Sequence, residues 1–375
     1  MPDTLLFEST PYRDAFPKTI AHVLSGLGTW YSCASVAIGR GDELFLKFAA
    51  GNRQDYSGDT LHAPDPKPVT MQTLYDMASV TKLMATTLVA LRLMEEGAFS
   101  LYDPLTRYFP DCGNYADVTL RHLLTHTSGL LPHIPLYELC QAPEEAVPAI
   151  LHSEPVCKPG EQVYYSCMGF ILLRAILERI AGAPLDLLAR TLVFEPLQMH
   201  TAGYNPDALA TPDIAATEYS AAEKRYICGH VHDENACFLG GVSGNAGVFA
   251  TLDDMIKLGA MLSGRGASHG KRFLSRRVFD LAVKNHTPGL DEARGLGFSL
   301  KGEGLSASGE FTSPDSYGHN GYTGTSIYVD GRTGVYFILL TNSVHYGRDD
   351  RTPFFRGRRL FHNIALTESD RIAGY

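Results

Sequence analysis

The strongest constraint on the fold is that segments typical of paired β-strands lie at both ends of the chain. Near the start, residues 32–51 read as two strands around the turn GRGDE. Near the end, residues 325–344 form a second pair around the turn GRTG. A sheet built from both ends predicts an α/β fold of the α+β type, with an antiparallel sheet flanked by helices.

Helix-like segments fill the middle of the chain and predict a second, mostly helical domain. They include SVTKLMATTLVALRLMEEG, CMGFILLRAILERIAG and PLDLLARTLVFEPL, in which apolar residues recur at helical spacing. We place this inserted domain at residues 86–239 and the α/β domain at residues 1–85 and 240–375. Because sites tend to form at domain seams, the active site is expected where the two meet.

Composition excludes several classes of protein. The 375 residues are 45% hydrophobic and 19% charged, which favours a large buried core over disorder. The net charge of −9 comes without a basic face, so no nucleic-acid partner is expected. No run of 18 apolar residues occurs, so no membrane span is expected.

Cysteine usage points to a reducing compartment. The seven cysteines are an odd number without a C-x-x-C pair, and the first 30 residues do not read as a signal peptide. We therefore expect reduced thiols and a cytoplasmic location. The densest basic patch, RDDRTPFFRGRR at 348–359, is interpreted as the solvated face of a C-terminal helix. The oligomeric state is not visible in the sequence.

The stretch DMASVTKLMATTL places Ser79 and Lys82 three residues apart at the start of a strongly apolar helix. Positions i and i+3 share one helix face, so the two side chains can touch. A serine hydroxyl needs a nearby base to become nucleophilic. The unpaired N–H groups at a helix start also favour negative charge near the serine oxygen. On its own, S-x-x-K occurs often by chance.

Two further stretches give this pair a context. Tyr165, Ser166 and Cys167 open a helix, and His319, Asn320 and Gly321 open a glycine-rich strand. The order S-x-x-K, Y-x-C, H-x-G parallels the motif set of the serine β-lactamases and penicillin-binding proteins. The chain resembles the superfamily of class C β-lactamases and D,D-peptidases, which includes the family VIII carboxylesterases. The resemblance covers roughly residues 74–342, including TLRHLLTHTSGL and VHDENACFLGGVSGNAGVFATLDDM.

The resemblance implies a role for each matching position. Ser79 would be the acylated nucleophile, and Lys82 its hydrogen-bonded partner and proton acceptor. Tyr165 would shuttle protons, with Lys82 stabilising any phenolate, since a free phenol has a pKa of about 10. His319 takes the place of the lysine in the K-T-G motif. The backbone N–H groups of Ser79 and Tyr322 would form the oxyanion hole.

Two departures from the family's pattern bear on the substrate. Cys167 stands where asparagine is common, and a thiol is a weak hydrogen-bonding group. His319 replaces a lysine and is expected to hold a carboxylate less firmly, because histidine can be neutral at pH 7. With Asn320 and Gly321, Cys167 is expected to contact the substrate. Gly321 would let the strand edge approach the substrate closely.

These features together predict a serine hydrolase that cleaves an ester or small amide through an acyl-enzyme, without a cofactor or metal. A β-lactamase or D,D-carboxypeptidase acting on β-lactams or cell-wall peptides is the first alternative. An acyltransferase, or an inactive binding or sensor module, is the second. In each case the partner would be a small molecule.

Two other motifs have competing interpretations. Cys228, His230 and His232 would share one side of an extended segment, which could suggest zinc. The preferred interpretation is a loop near the site, in which Asp233 and Asn235 bond backbone groups. The segment LLTHTSGL, with its histidine and serine two positions apart, could suggest a catalytic triad. Because no matching carboxylate is evident, a polar turn ending a helix is preferred.

Overall fold

The computed structural model describes residues 4–55, 66–208 and 210–373. In these residues the strands are β1 (Leu5–Phe7), β2 (Cys33–Arg40), β3 (Glu43–Gln54), β4 (Lys67–Pro68), β5 (Tyr75–Asp76), β6 (Gly203–Tyr204), β7 (Tyr219–Ser220), β8 (Arg225–Tyr226), β9 (Val248–Ala250), β10 (Ala267–Ser268), β11 (Lys271–Arg272), β12 (Ser299–Leu300), β13 (Tyr317–Asn320), β14 (Ser326–Val329) and β15 (Val335–Thr341).

The α-helices are α1 (Pro17–Ser25), α2 (Leu88–Glu95), α3 (Leu120–Leu124), α4 (Leu136–Leu139), α5 (Ala146–Leu151), α6 (Cys167–Ala181), α7 (Leu185–Ala189), α8 (Glu234–Phe238), α9 (Leu252–Ser263), α10 (Arg276–Ala282) and α11 (Thr352–Ala373). Two π-helical segments, Lys82–Thr87 and Arg190–Phe194, lead into α2 and follow α7. Each helix of the described residues is too short or too polar to cross a lipid bilayer.

The main sheet combines strands from both ends of the chain, as the sequence predicts. Its order is β1-β3-β2-β15-β14-β13-β12, with β4 added beside β3, and every pairing is antiparallel. The central pairing joins β2 to β15, with Ala34 opposite Thr341. The predicted α+β class with an antiparallel sheet flanked by helices is therefore confirmed.

Both faces of this sheet are buried. Successive side chains of its central strand β15 point to opposite faces and so enter two different apolar clusters. Phe337 and Leu339 pack with Phe361 of α11 on one face. Ile338 and Leu340 belong to the larger apolar cluster on the other face, where α9 packs. A sheet covered on both sides explains why β15 reads as a continuous apolar run rather than an alternating one.

The middle of the chain is rich in helices, as expected, and its central helix is fully buried over residues 82–91. The larger apolar cluster runs without a break from residues of the main sheet into this helical region. The division at residues 86 and 239 stays a prediction. The sequence gives no signal for the small sheet β5-β9-β6, whose strands of two or three residues are too short to show periodicity.

Candidate active site

Ser79 lies in a tight turn between β5 and the central helix. The buried carboxyl group of Asp76 holds this turn, accepting the N–H of Ala78 at 2.8 Å and that of His232 at 2.7 Å. Ala78 has a φ of +44°, which is uncommon for a residue other than glycine. Such a conformation persists only where the surroundings impose it. The turn leaves Ser79 in the lining of a cavity.

Lys82 lies directly behind Ser79, as the i, i+3 spacing predicts. Its Nζ is 2.9 Å from Ser79 Oγ, 2.9 Å from the carbonyl oxygen of Asn245 and 3.5 Å from Cys167 Sγ. An ammonium group has three donors, so these contacts satisfy it completely. Burial alone would lower the pKa of Lys82, but the neighbouring Cys167 and Tyr165 leave that pKa raised.

Tyr165 precedes Ser166, the N-cap residue of helix α6, whose side chain accepts the N–H of Gly169. The centre of the Tyr165 ring lies 5.0 Å from Lys82 Nζ. The ring of His126 packs against Tyr165 at a centroid distance of 4.5 Å. The three S-x-x-K and tyrosine-motif side chains are therefore neighbours at one end of the cavity.

His319 faces the same cavity from strand β13, and its ring lies 6.0 Å from that of Tyr165. Its Nδ1 is 2.8 Å from the carbonyl oxygen of Asn320, so Nδ1 carries the proton and Nε2 is a buried acceptor without a partner among the described residues. Burial, together with the charge of Lys82, lowers the pKa of His319 to about 3. The ring is therefore neutral at pH 7 and supplies no positive charge.

The backbone N–H groups of Ser79 and Tyr322 have no hydrogen-bond acceptor within the described part of the chain. Two threonine hydroxyls tie the two segments together. Thr323 donates to the carbonyl oxygen of Asp76 at 2.8 Å, and Thr325 donates to that of Met77 at 3.1 Å. The turn between β13 and β14, which carries Tyr322, is thus fixed against the turn that carries Ser79.

Gly321 is required at this junction for a reason the sequence did not indicate. A Cβ added to it would lie 2.5 Å from the carbonyl oxygen of Met77 and 2.1 Å from Thr325 Oγ1. The close approach that excludes a side chain here is therefore made by the chain's own backbone.

The cavity has a volume of about 250 Å³ and brings together most of the predicted site residues. Its lining comprises Ser79, Tyr165, Arg294, Ser299, His319, Asn320, Gly321, Tyr322, Arg351, Phe355 and Arg358. Lys82 and Cys167 lie behind Ser79, with the Cys167 sulfur on Lys82 rather than in this lining. A larger cleft of about 690 Å³, lined by residues between 285 and 307, adjoins the cavity at Arg294, Ser299 and Asn320.

The arginines of this cavity were not predicted from the sequence. The interpretation of residues 348–359 as a solvated helix face is wrong for Arg351 and Arg358, each only 8% exposed. It holds for Arg356, which is exposed. A signal was present, because positions 351, 354, 358 and 361 follow helical spacing and two of them are buried phenylalanines.

The two motifs with competing interpretations also have clear positions. Asp233 caps α8 by accepting the N–H of Ala236, and Asn235 bonds the backbone of Ile134 and Leu136, as preferred. In the described residues, no three His, Cys, Asp or Glu side chains form a metal-binding group. Helix α3 ends before His126, which confirms the polar turn, although its packing against Tyr165 was not foreseen.

Comparison with known proteins agrees with this geometry. In fold, the chain matches a penicillin-binding protein homologue from Caulobacter crescentus with a TM-score of 0.74 and 16% identity, over 97% of this chain and 100% of that one. It also matches EstCE1, described as a hydrolase with promiscuous acyltransferase activity, with a TM-score of 0.73 and 21% identity, over 93% and 99% of the two chains.

A curated relative from Salmonella agona, named "Putative D-alanyl-D-alanine carboxypeptidase", is 27% identical over 379 residues, which cover 91% of this chain and 87% of the relative. The sequence profile of the Beta-lactamase family matches residues 23–358. The chain therefore belongs to the β-lactamase family, and it is a serine hydrolase.

Proposed function

We propose that the protein cleaves an ester or a small amide through an acyl-enzyme formed on Ser79. The observation that carries this proposal is the 2.9 Å contact between Ser79 Oγ and the buried Nζ of Lys82, at the wall of a cavity large enough for a small substrate. A serine hydroxyl in contact with a lysine at a helix start has the environment that acyl transfer needs.

The raised pKa of Lys82 bears on how the proton moves. Lys82 is an ammonium in the free protein, so its charge stabilises negative charge on Ser79 Oγ and on the Tyr165 oxygen. Because an ammonium cannot accept a proton, we assign the serine proton to the Tyr165 oxygen in its phenolate form, which Lys82 stabilises. The resulting phenol then protonates the leaving alcohol or amine. Water releases the acid in the second half of the reaction. Positioned acid–base groups contribute about 10²- to 10⁴-fold in rate.

The free N–H groups of Ser79 and Tyr322 support an oxyanion hole made from these two donors. Each donor of this kind typically contributes about 10²- to 10³-fold to the rate. Asn320 and Gly321 line the cavity on the same side and are proposed to contact the substrate. Cys167 is proposed to act through Lys82, because its sulfur touches the lysine.

The neutral state of His319 favours esters and small amides over β-lactams, whose carboxylate a lysine would hold more firmly at this position. A D,D-carboxypeptidase or β-lactamase is the second candidate. The names of the curated relatives and the three arginines of the cavity favour it. An acyltransferase would use the same acyl-enzyme with another acceptor.

The test is turnover of a p-nitrophenyl ester by the wild type, by Ser79→Ala and by the control Ser25→Ala, whose serine is exposed on α1. We expect Ser79→Ala to lose at least roughly 10⁴-fold in kcat, and the control to match the wild type. Intact-mass spectrometry after mixing with esters, a penicillin and a D-Ala-D-Ala peptide then identifies the acyl group. Full turnover by Ser79→Ala would refute the proposal.

The location in the cell and the domain division are proposals as well. All seven cysteines lie in described segments and all are free thiols, which supports a reducing, cytoplasmic environment. We propose that residues 86–239 form a helical domain inserted into the α/β domain. In this division Ser79 and His319 belong to the α/β domain and Tyr165 to the helical domain, so the active site would lie at the seam.

A further inference from the structure

Two of the arginines in the cavity are buried without a carboxylate partner in the described residues. Arg351 donates from its Nη2 to Ser343 Oγ at 2.5 Å and has the Tyr322 side chain as a further polar neighbour, while its Nε and Nη1 are buried without a partner among the described residues. Arg358 has no hydrogen bond or ion pair from its side chain within the same residues, and its Nε is buried without a partner. Both line the cavity beside Ser79.

Aromatic rings are the main contacts of these two guanidinium groups. Arg351 lies 4.6 Å from the centre of the Tyr322 ring and 5.1 Å from that of Phe355. Arg358 lies 5.5 Å from the centres of both Phe354 and Phe355. Cation–π contacts are weaker than the cost of burying an unpaired charge, so the rings do not compensate for that cost.

Burial disfavours the charged form of both guanidinium groups. Burial lowers the pKa of Arg351, and burial together with the charge of Arg351 lowers the pKa of Arg358 to about 10. At pH 7 both groups are still charged. Arg294, the third arginine of the cavity, differs because it forms an ion pair with Glu292. In the described chain, Arg351 and Arg358 therefore have no carboxylate within ion-pair distance, although the more distant Glu218, which pairs with Arg348, acts to raise the pKa of Arg351.

We propose that Arg351 and Arg358 form an anion subsite for a substrate group that carries two negative charges, either a phosphate or a pair of carboxylates. This proposal rests on the proposed function, because the subsite belongs to the same cavity as Ser79. Two guanidinium groups match a dianion in charge, and their planar N–H groups suit phosphate and carboxylate oxygens. The subsite would select anionic over neutral substrates.

The size of the cavity links the subsite to the reaction. With a volume of about 250 Å³, it holds only a small group, so an anion bound to the arginines would be part of the molecule that Ser79 attacks or of its leaving group. The neutral His319 cannot replace the arginines in this task. The anion would also remove the cost of keeping the two guanidinium groups buried and unpaired.

The first experiment measures anion binding to the wild-type protein by titration calorimetry, at pH 7.5 and constant ionic strength, with acetate, malonate and inorganic phosphate. We expect malonate or phosphate to bind at least about tenfold more tightly than acetate. Tighter binding of malonate identifies paired carboxylates, and tighter binding of phosphate identifies a phosphate group. Equal affinity for all three anions would overturn the proposal.

The second experiment repeats the titrations with Arg358→Met and with Arg356→Met. The control removes the same charge from the same helix, but its arginine is exposed outside the cavity. We expect Arg358→Met to lose the preference for dianions by about 10- to 100-fold and the control to keep it. Retention of the preference in Arg358→Met would count against the subsite. If that variant fails to fold, Arg351→Met and the ranking in the wild type decide the question.

Calorimetry does not need turnover, so the two proposals can fail separately. Loss of the proposed function would appear as ester hydrolysis that does not depend on Ser79, while dianion binding could still be present. Failure of the subsite would appear as Ser79-dependent hydrolysis without any preference for dianions.

Discussion

Two buried cations of the same active-site region are held in opposite ways. Lys82 directs its three donors at Ser79, Asn245 and Cys167, and its pKa is raised. Arg358 has no hydrogen-bond partner for its side chain in the described residues, and its pKa is lowered. The protein itself stabilises the first charge and leaves the second uncompensated.

The difference teaches how the two parts of the site work. A cation whose partners are all internal is fixed before the substrate arrives, and such preorganisation is what acyl transfer requires. A cation without partners stores unfavourable free energy that an incoming anion can release. A buried positive charge thus assists acyl transfer at Lys82, whereas the one at Arg358 is proposed to bind an anionic group of the substrate.

Of the changes that test this comparison, Lys82→Met is expected to have the largest effect. Lys82→Met removes the donor to Ser79 Oγ, so we expect kcat for a p-nitrophenyl ester to fall by about 10²- to 10⁴-fold. It also leaves the carbonyl oxygen of Asn245 without its bond, which should lower the free energy of unfolding by about 1–3 kcal/mol. Steady-state kinetics and urea unfolding measure the two quantities. Unchanged stability would mean that the internal contacts of Lys82 do not compensate its burial.

The second prediction tests how tightly the loop after β13 packs against the turn that carries Ser79. Gly321→Ala would place a Cβ 2.5 Å from the carbonyl oxygen of Met77, so strand β13 and the following loop must move away from Ser79. We expect kcat to fall by roughly 10²-fold, as when one oxyanion donor is lost. Gly203→Ala is the matched control, because its Cβ would meet open space. Equal activity of both variants would argue against a rigid junction.

The third prediction concerns acid stability. The pKa of His319 is lowered to about 3, so between pH 6.5 and 3 the unfolded chain binds more protons than the folded one. Stability is therefore lost as the pH falls through this window. In His319→Gln this contribution is absent, and we expect the loss between pH 7 and pH 4 to be smaller by roughly 1–3 kcal/mol.

Urea unfolding at a series of pH values measures this slope. His200→Gln is the control, because His200 is exposed. If His319→Gln and the wild type lose stability in parallel, the histidine has the same pKa in the folded and unfolded states, and its lowered pKa would have to be abandoned.

The smallest effect is expected at Arg358, and its sign is opposite to that at Lys82. Arg358→Met removes an unpaired buried charge and keeps an apolar stem against Phe354 and Phe355. We expect the free energy of unfolding of the empty protein to rise by about 1 kcal/mol. Removal of one member of a buried ion pair would instead lower it by about 3–5 kcal/mol. A decrease of that size in urea unfolding would show that Arg358 has an internal partner.

The site residues that could be predicted are those that lie close together along the chain in short motifs. Ser79 and Lys82 share a helix face at fixed spacing, and His319, Asn320 and Gly321 occupy one strand end and its turn, so local geometry brings each set together. Tyr165 was identified through the resemblance, as the first residue of the Y-x-C motif at the start of a strong helix pattern. The sheet was predicted for the same reason, since each hairpin is a local unit.

The parts that were missed depend on packing between distant segments. Arg351 and Arg358 reach the cavity only because α11 covers the sheet, and a basic stretch on a terminal helix is ordinarily solvated. His126 contacts Tyr165 across 39 positions of sequence, with no shared motif to connect them. The strands of β5-β9-β6 are too short for any periodic pattern.

The pairing of β2 with β15 has a consequence for biosynthesis. Ala34 of β2 lies opposite Thr341 of β15, so about 300 further residues must be synthesised after β2 before its partner strand is available. The arginine-bearing helix comes later still. While the ribosome is making this protein, the emerging chain therefore carries an open sheet edge and an incomplete pocket, and hydrolytic activity can begin only after β15 and α11 have been synthesised.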